Sequence, residues 1–416
     1  MEIINNVAKN ITEIAGGVCA PKGFRAGGVH CGIRKNKTKK DLALIVSDVV
    51  GTSASVYTKN LVKGAPIVVT QKNLRDGKAQ AIVCNSGNAN TCNANGEEIA
   101  YEMCALVAKH MGIKADDVIV ASTGVIGQTL DITPIAEGMP SLIKSLKAGE
   151  VGSDDASAAI MTTDLVKKEI AFSFTVGGKE CKIGGIAKGS GMINPNMATM
   201  LVFITTDVKI SAEMLTKALR ADADATFNMI TVDGDTSTND MVSVIANGMA
   251  GNAEIKSVGA DYDAFCTALF AVTSTLSKKI AKDGEGATKL LECNVCGAKS
   301  VKDARIASKG VVSSSLFKAA MFGEDANWGR VLCAIGYSGA DTDVTKIDVS
   351  FRSANGTVAV CKMGAGIPFS EDEAKKVLSA SDISIDITMR DGSAKATAWG
   401  CDLTFDYVKI NGSYRS

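Results

Sequence analysis

Lys188-Gly189-Ser190-Gly191-Met192-Ile193-Asn194-Pro195-Asn196-Met197-Ala198-Thr199-Met200-Leu201 leads directly into Val202-Phe203-Ile204-Thr205-Thr206. The first part is rich in turn formers. From Met200 onward the run is apolar and β-branched, which reads as a buried strand. Thr199 stands at the junction. A hydroxyl residue heading a buried strand, behind the Asn194-Pro195-Asn196 turn, suits self-cleavage. Its side chain attacks the preceding carbonyl, the chain passes from nitrogen to oxygen, and hydrolysis frees a new N-terminus. Such a threonine carries its own base, because an α-amino group titrates at about 7.7–8.0 and can take the proton of the neighbouring hydroxyl.

The rest of the composition fits that economy. Only two histidines occur, His30 and His110. His110 closes the helical pattern Ile99, Met103, Leu106, Val107, Met111 before Gly112, where a cation suits the helix C-terminus. His30 lies in GGVHCG, a turn or tight strand. A Ser-His-Asp or Cys-His mechanism therefore has little support. GGIAKGSG at 184–191 is not a phosphate loop, because its order is Lys188-Gly189-Ser190 where Gly-Lys-Ser/Thr is needed.

Lysine plus arginine and aspartate plus glutamate both number 45, and no basic block occurs. Nucleic acid is excluded as an expected partner, since its binding depends on phosphate neutralisation. No apolar run approaches the roughly 18 residues that span a bilayer, and the N-terminus has no signal-type apolar region. A cytoplasmic protein without membrane contact is expected. The twelve cysteines are scattered. The one CxxC, Cys293 and Cys296, lacks a second ligand pair, so no metal is expected.

A chain of 416 residues predicts two or three domains. Strands are expected at 41–46, 65–70, 80–85 and 118–123, with helices over 97–111 and 132–147. An antiparallel pair at 171–176 and 181–187 leads to Thr199. Ser211 caps a helix over 212–224, and a long helix covers 260–282. Strands at 347–352 and 383–389 flank a helix opened by the capping box Ser370-Glu371-Asp372-Glu373. Residues 402–410, DLTFDYVKI, read as a last strand. The AKDGEG turn at 281–286 is the expected domain border.

KGSGMINPNMATML at 188–201 resembles the self-cleavage signature of the ornithine/glutamate N-acetyltransferase family of arginine biosynthesis. APKGFRAGGVHCGIR at 20–34, CNSGNANTC at 84–92, STGVIG at 122–127 and IMTTD at 160–164 resemble further blocks of that family. So do VDGDTSTND at 232–240, DGEGATK at 283–289, FGEDANWGR at 322–330 and DLTFDYVKINGSYRS at 402–416.

The resemblance implies an α/β fold: an αββα-type sandwich over 1–285, a smaller α/β domain over 286–400, and a final strand and tail at 401–416 returning to the active site. It implies cleavage between Ala198 and Thr199 into an α chain, 1–198, and a β chain, 199–416, with two of each in a heterotetramer. Thr199 is then the nucleophile, and Thr123 and Gly124 form the oxyanion hole. Thr162, Lys188, Glu285, Asn411 and Ser416 join Thr199 in binding substrate, Glu285 meeting a side-chain ammonium. The implied reaction moves acetyl from N2-acetyl-ornithine to glutamate through an acetyl-threonine. No bound cofactor is implied, and acetyl-CoA is a further donor in the two-function members, the preferred subtype here. Two other readings stay open: a self-cleaving aminopeptidase or amidase of related fold, and a non-catalytic binding protein.

Overall fold

The computed structural model describes residues 11–194 and 200–413. Ala198, Thr199 and Ser416 lie outside the described residues. The chain divides into two compact units. The first takes the described residues up to Gly189, those from 200 to Phe227, and Thr236–Leu276. The second takes 190–194, Asn228–Asp235, and the described chain from Ser277 onward. The units thus interleave along the chain, and 190–194 and 228–235 belong with the C-terminal part.

The first unit is built on one sheet of nine strands among the described residues. These are β1 (Ile11–Ile14), β2 (Phe24–Val29), β3 (Leu42–Tyr57), β4 (Lys78–Asn88), β5 (Val118–Val125), β6 (Lys168–Val176), β7 (Lys179–Lys188), β8 (Leu201–Thr206) and β9 (Met241–Ala246). Their order is β1-β6-β7-β8-β9-β3-β4-β5, with β2 also on β3. The sixteen-residue β3 makes the turn between the halves. Its first part pairs with β4 up to Val46 and, past an irregularity reaching Gly51, its second part pairs with β9.

The two faces of β3 show how the layers form. Ala43 and Ile45 enter a core with Ile82, Ile119, Ile186, Phe203 and Ile245, which joins both halves of the sheet. Leu42, Leu44 and Val46 face the other way, into a core with helices α1 (Ala65–Asn73), α2 (Gly96–Met111) and α3 (Thr133–Ser145). That alternation is the period of two along a strand buried on both faces. Helix α4 (Gly149–Ile160) contributes Ala156, Ala159 and Ile160 to the inter-sheet core. Helices α5 (Ala212–Ala225) and α6 (Ala260–Lys282) follow, and Gly185 of β7 leaves room for Val272 and Leu276 of α6. Helix, sheet, sheet and helix are therefore stacked around two cores, and the Ser211 hydroxyl caps α5 from Met214 N at 3.3 Å.

Residues 65–70 are helical, not the expected strand. Pro66 stands in the first turn, where its fixed φ and missing N–H are tolerated. The β-branched run is used instead to cover the sheet edge. The Thr70 hydroxyl donates to Val120 O at 2.8 Å and accepts from Val120 N at 2.9 Å. Asn73 Nδ2 donates to Val118 O at 2.8 Å. Side chains of α1 thus satisfy the open edge of β5, which an unpaired strand would leave exposed.

The second unit has a six-stranded sheet: β10 (Leu290–Ala298), β11 (Asp348–Ser353), β12 (Gly356–Lys362), β13 (Ala365–Gly366), β14 (Asp382–Thr388) and β15 (Ala394–Cys401), in the order β13-β12-β11-β14-β10-β15. Ser370 accepts from Glu373 N at 3.3 Å, opening the helix Glu371–Leu378. Cys293 and Cys296 both sit on β10. Positions three apart on a strand point to opposite faces, so the pair is not a metal clamp.

The expected strand at 402–410 is also corrected. β15 stops at Cys401, where the Asp402 carboxylate accepts from Thr288 N at 2.8 Å and Lys289 N at 3.0 Å. The Thr404 hydroxyl then accepts from Tyr407 N and caps a helix, Phe405–Gly412. Its apolar positions Phe405 and Val408 are exposed, so their alternation never met the half-buried sheet it suggests.

Candidate active site

Thr123 and Gly124 end β5, where Ser86 pairs with Thr123 and Gly87 with Gly124. Gly124 has φ +134°, and a Cβ there would lie 2.3 Å from the Gly87 carbonyl carbon and 2.6 Å from Asn88 N. Only glycine allows this approach. The strand end is held from behind by Asn239. Its amide donates to Ala89 O at 2.5 Å and Ser122 O at 2.9 Å, and its oxygen accepts from the hydroxyls of Thr91 at 2.6 Å and Thr238 at 2.5 Å. The side-chain amide of this buried residue is thus engaged on both sides, the condition for a rigid polar network.

Thr162 and Lys188 are brought together by a residue to which the sequence analysis gave no role, Asp164. Its carboxylate accepts from Thr162 N at 2.9 Å and from Gly189 N at 2.7 Å. It also pairs with Lys168 Nζ at 2.7 Å, both side chains fully buried. Burial pushes the Asp164 carboxyl up, but the charges of Lys168 and Lys188 outweigh burial and hold it at about 2. Asp240, at the foot of β9, is its opposite. Burial drives its carboxyl well above the ordinary range, and the Ser237 hydroxyl and the Lys188 charge only moderate this.

The second unit holds Glu285 and Asn411. Asn411 Nδ2 donates to Glu285 Oε2 at 2.7 Å and to Tyr407 O at 3.1 Å. Glu285 is 7 % exposed. Its N–H donates to Ser190 O at 3.1 Å, and a Cβ on Gly191 would fall 2.4 Å from its carboxyl carbon. The glycine in the Gly189–Gly191 run is thus the space the Glu285 carboxylate occupies. Asp233, also missed, clamps the same segment. It accepts from Met192 N at 2.6 Å and Ile193 N at 2.8 Å, while Met192 adopts a left-handed φ of 56°. A non-glycine residue held there stores strain just upstream of the expected cut.

The structure thus joins Thr162 with the Lys188 strand end in the first unit, and Glu285 with Asn411 in the second. An open cavity of about 820 Å³ in the first unit, lined by Arg75, Lys217 and Arg220 among others, includes none of the expected residues. His30 Nδ1 lies 3.0 Å from Lys39 O and 3.1 Å from the Asp41 carboxylate, and His110 sits in the last turn of α2.

Residues 25–416 match the model of the ArgJ family. The arginine biosynthesis bifunctional protein ArgJ of Caldanaerobacter subterraneus subsp. tengcongensis is 50 % identical over 397 residues, covering 95 % of this chain and 98 % of that protein. The protein of the same name from Bacillus subtilis is 47 % identical over 408 residues, 98 % of each chain. A crystal structure of the Bacillus halodurans protein of that name has 45 % identity and a TM-score of 0.49, over 51 % of this chain and 98 % of that one. The chain belongs to the ArgJ family.

Proposed function

We infer that this protein is an acetyltransferase of arginine biosynthesis that moves the acetyl group of N2-acetyl-L-ornithine to L-glutamate. Self-cleavage between Ala198 and Thr199 makes the Thr199 amine, which takes the proton of its own hydroxyl. The hydroxyl oxygen attacks the acetyl carbonyl, the Thr123 hydroxyl and the Gly124 N–H bind the oxyanion, and ornithine leaves with its amine restored. Glutamate's amine then takes the acetyl group from the ester. Lys188 and Thr162 bind the amino-acid end of the substrate. Glu285, oriented by Asn411, binds the side-chain ammonium of the donor, and Ser416 completes the set.

Acetyl-CoA serves as a second donor in this reading, and the description of the relatives as bifunctional supports it. The active form has two α and two β chains in the cytoplasm. The observation that carries the account is the buried Glu285 carboxylate tied to Asn411, since a buried carboxylate is suited to an organic cation. Glutamate added to the enzyme and N2-acetyl-ornithine should accelerate ornithine release. Release at the same rate with or without glutamate would indicate a hydrolase instead.

A further inference from the structure

The loop after β2 is wrapped around one buried carboxylate. Asp41 accepts from Cys31 N at 2.6 Å, Gly32 N at 3.3 Å and Arg34 N at 3.0 Å. Its backbone carbonyl accepts from Ser86 N at 2.9 Å. The backbone of Arg34 is thereby fixed beside the end of β4. Its side chain lies over Gly87, where a Cβ would meet Arg34 Cγ at 2.8 Å and Nε at 3.5 Å. Gly87 is the residue that pairs with Gly124. Arg34 Nη2 donates to Met161 O, directly before Thr162. The Ser86 hydroxyl donates to Ala159 O at 2.6 Å and holds the end of α4 against the same strand. One side chain thus spans from the strand end beside Gly124 to the residue before Thr162, all within the first unit. Lys188 approaches the same place. Burial pushes the Cys84 thiol of β4 up to about 12, and the charges of Lys188 and Arg34 both pull against it. Lys188 also acts on Asp164, which holds Thr162 N.

The two amino acids of the transfer differ in charge. N2-acetyl-ornithine and glutamate share one carboxylate, at the amino-acid end. Glutamate has a second on its side chain, where the donor carries an ammonium. Glu285 suits that ammonium and, having the same sign, offers a carboxylate no attraction. Lys188 supplies one cation, for the carboxylate that both molecules share. Arg34 supplies another, and a planar guanidinium can hold a carboxylate through two parallel N–H bonds. We propose that Arg34 determines specificity for the acceptor by binding the side-chain carboxylate of glutamate. The inference rests on the transferase reading above. Asp41 is then a positioning residue, because its carboxylate holds the loop that carries Arg34. No bond is made or broken at Arg34. It holds glutamate so that the amine, and not water, meets the acetyl ester, and it sets glutamate apart from neutral amino acids.

Acetyl transfer from N2-acetyl-ornithine to glutamate and to glutamine, measured with wild-type, R34Q and R34K proteins, tests this. Glutamine keeps the shape of glutamate but replaces the side-chain carboxylate by a neutral amide. In the wild type kcat/KM should favour glutamate; a wild type without that preference overturns the proposal. In R34Q the preference should fall by a factor on the order of 30, as for lost hydrogen bonds to a charged group, while KM for N2-acetyl-ornithine changes little. R34K keeps the charge but loses the fork, and its preference should fall by a factor on the order of 10. An unchanged preference in a folded R34Q overturns the proposal, because a merely structural role weakens both acceptors alike. Equal rises in KM for glutamate and for the donor also overturn it, since Arg34 then meets the shared carboxylate. Should R34Q fail to fold, R34K decides by the same ratio. A wild type whose ornithine release ignores glutamate would sink the transferase reading itself, whereas a working transferase with an unaltered preference in the variants sinks only the role of Arg34.

Discussion

Asn411 Nδ2 donates to Glu285 Oε2 at 2.7 Å, linking the C-terminal helix to the Gly284–Gly286 turn. In the proposed site the amide holds one carboxylate oxygen, and the side-chain ammonium of the donor would meet the other. Asn411→Leu should raise KM for N2-acetyl-ornithine by roughly tenfold, as expected for one lost hydrogen bond to a charged group, and change kcat less. Steady-state kinetics with the donor varied checks this; an unchanged KM would remove Asn411 from the substrate site.

Thr123→Ala should lower kcat by a factor on the order of 100, with a smaller change in KM, as for loss of one oxyanion donor. A rise in KM alone would make Thr123 a ground-state contact. Gly124→Ala should cost folding as well as activity, because its Cβ meets the Gly87 backbone at 2.3 Å.

Much of the frame was legible in the sequence. The β6–β7 pair, the Ser211 and Ser370 caps and α6 follow from period and turn chemistry that act locally. Helix α1 was not legible, because its β-branched residues look like a strand until Thr70 and Asn73 are seen to bond the edge of β5. The last helix failed for the opposite reason: an exposed helix has no burial to impose its period. Of the site, Gly124 and Glu285 sat in recognisable blocks. Asp164, Asp233, Asn239 and Asp240 lie in such blocks as well, but their parts do not show there. Asp164 and Asp233 accept from distant backbone N–H groups, the Asn239 amide donates to distant carbonyls, and Asp240 is set apart by burial, none of which a spacing in the chain records.

Asn239→Leu should destabilise the first unit by about 1–3 kcal/mol for each carbonyl left without a donor. Ala89 O and Ser122 O both depend on it. Denaturant unfolding should show a lower midpoint, and kcat should fall with it because Ser122 precedes Thr123. Wild-type stability in this variant would show that water replaces the amide.

Asp164 should make acid stability visible. Its folded carboxyl lies at about 2, below the ordinary 3.8. A depressed carboxyl contributes stability that is full above the ordinary value and is lost as pH falls through the folded one. Stability attributable to Asp164 should therefore disappear between pH 3.8 and about 2. Asp164→Asn should lack that limb and also remove the buried ion pair with Lys168, a loss of about 3–5 kcal/mol. An identical acid limb in this variant would place the titration elsewhere.

The central claim is that Thr199, once freed, carries the acetyl group. The most direct measurement is intact mass of the purified protein before and after N2-acetyl-ornithine. The account predicts two fragments, 1–198 and 199–416, with one acetyl group appearing on the second and leaving when glutamate is added. A single uncut chain of 43.1 kDa, or cut fragments that never acquire the acetyl group, would contradict it.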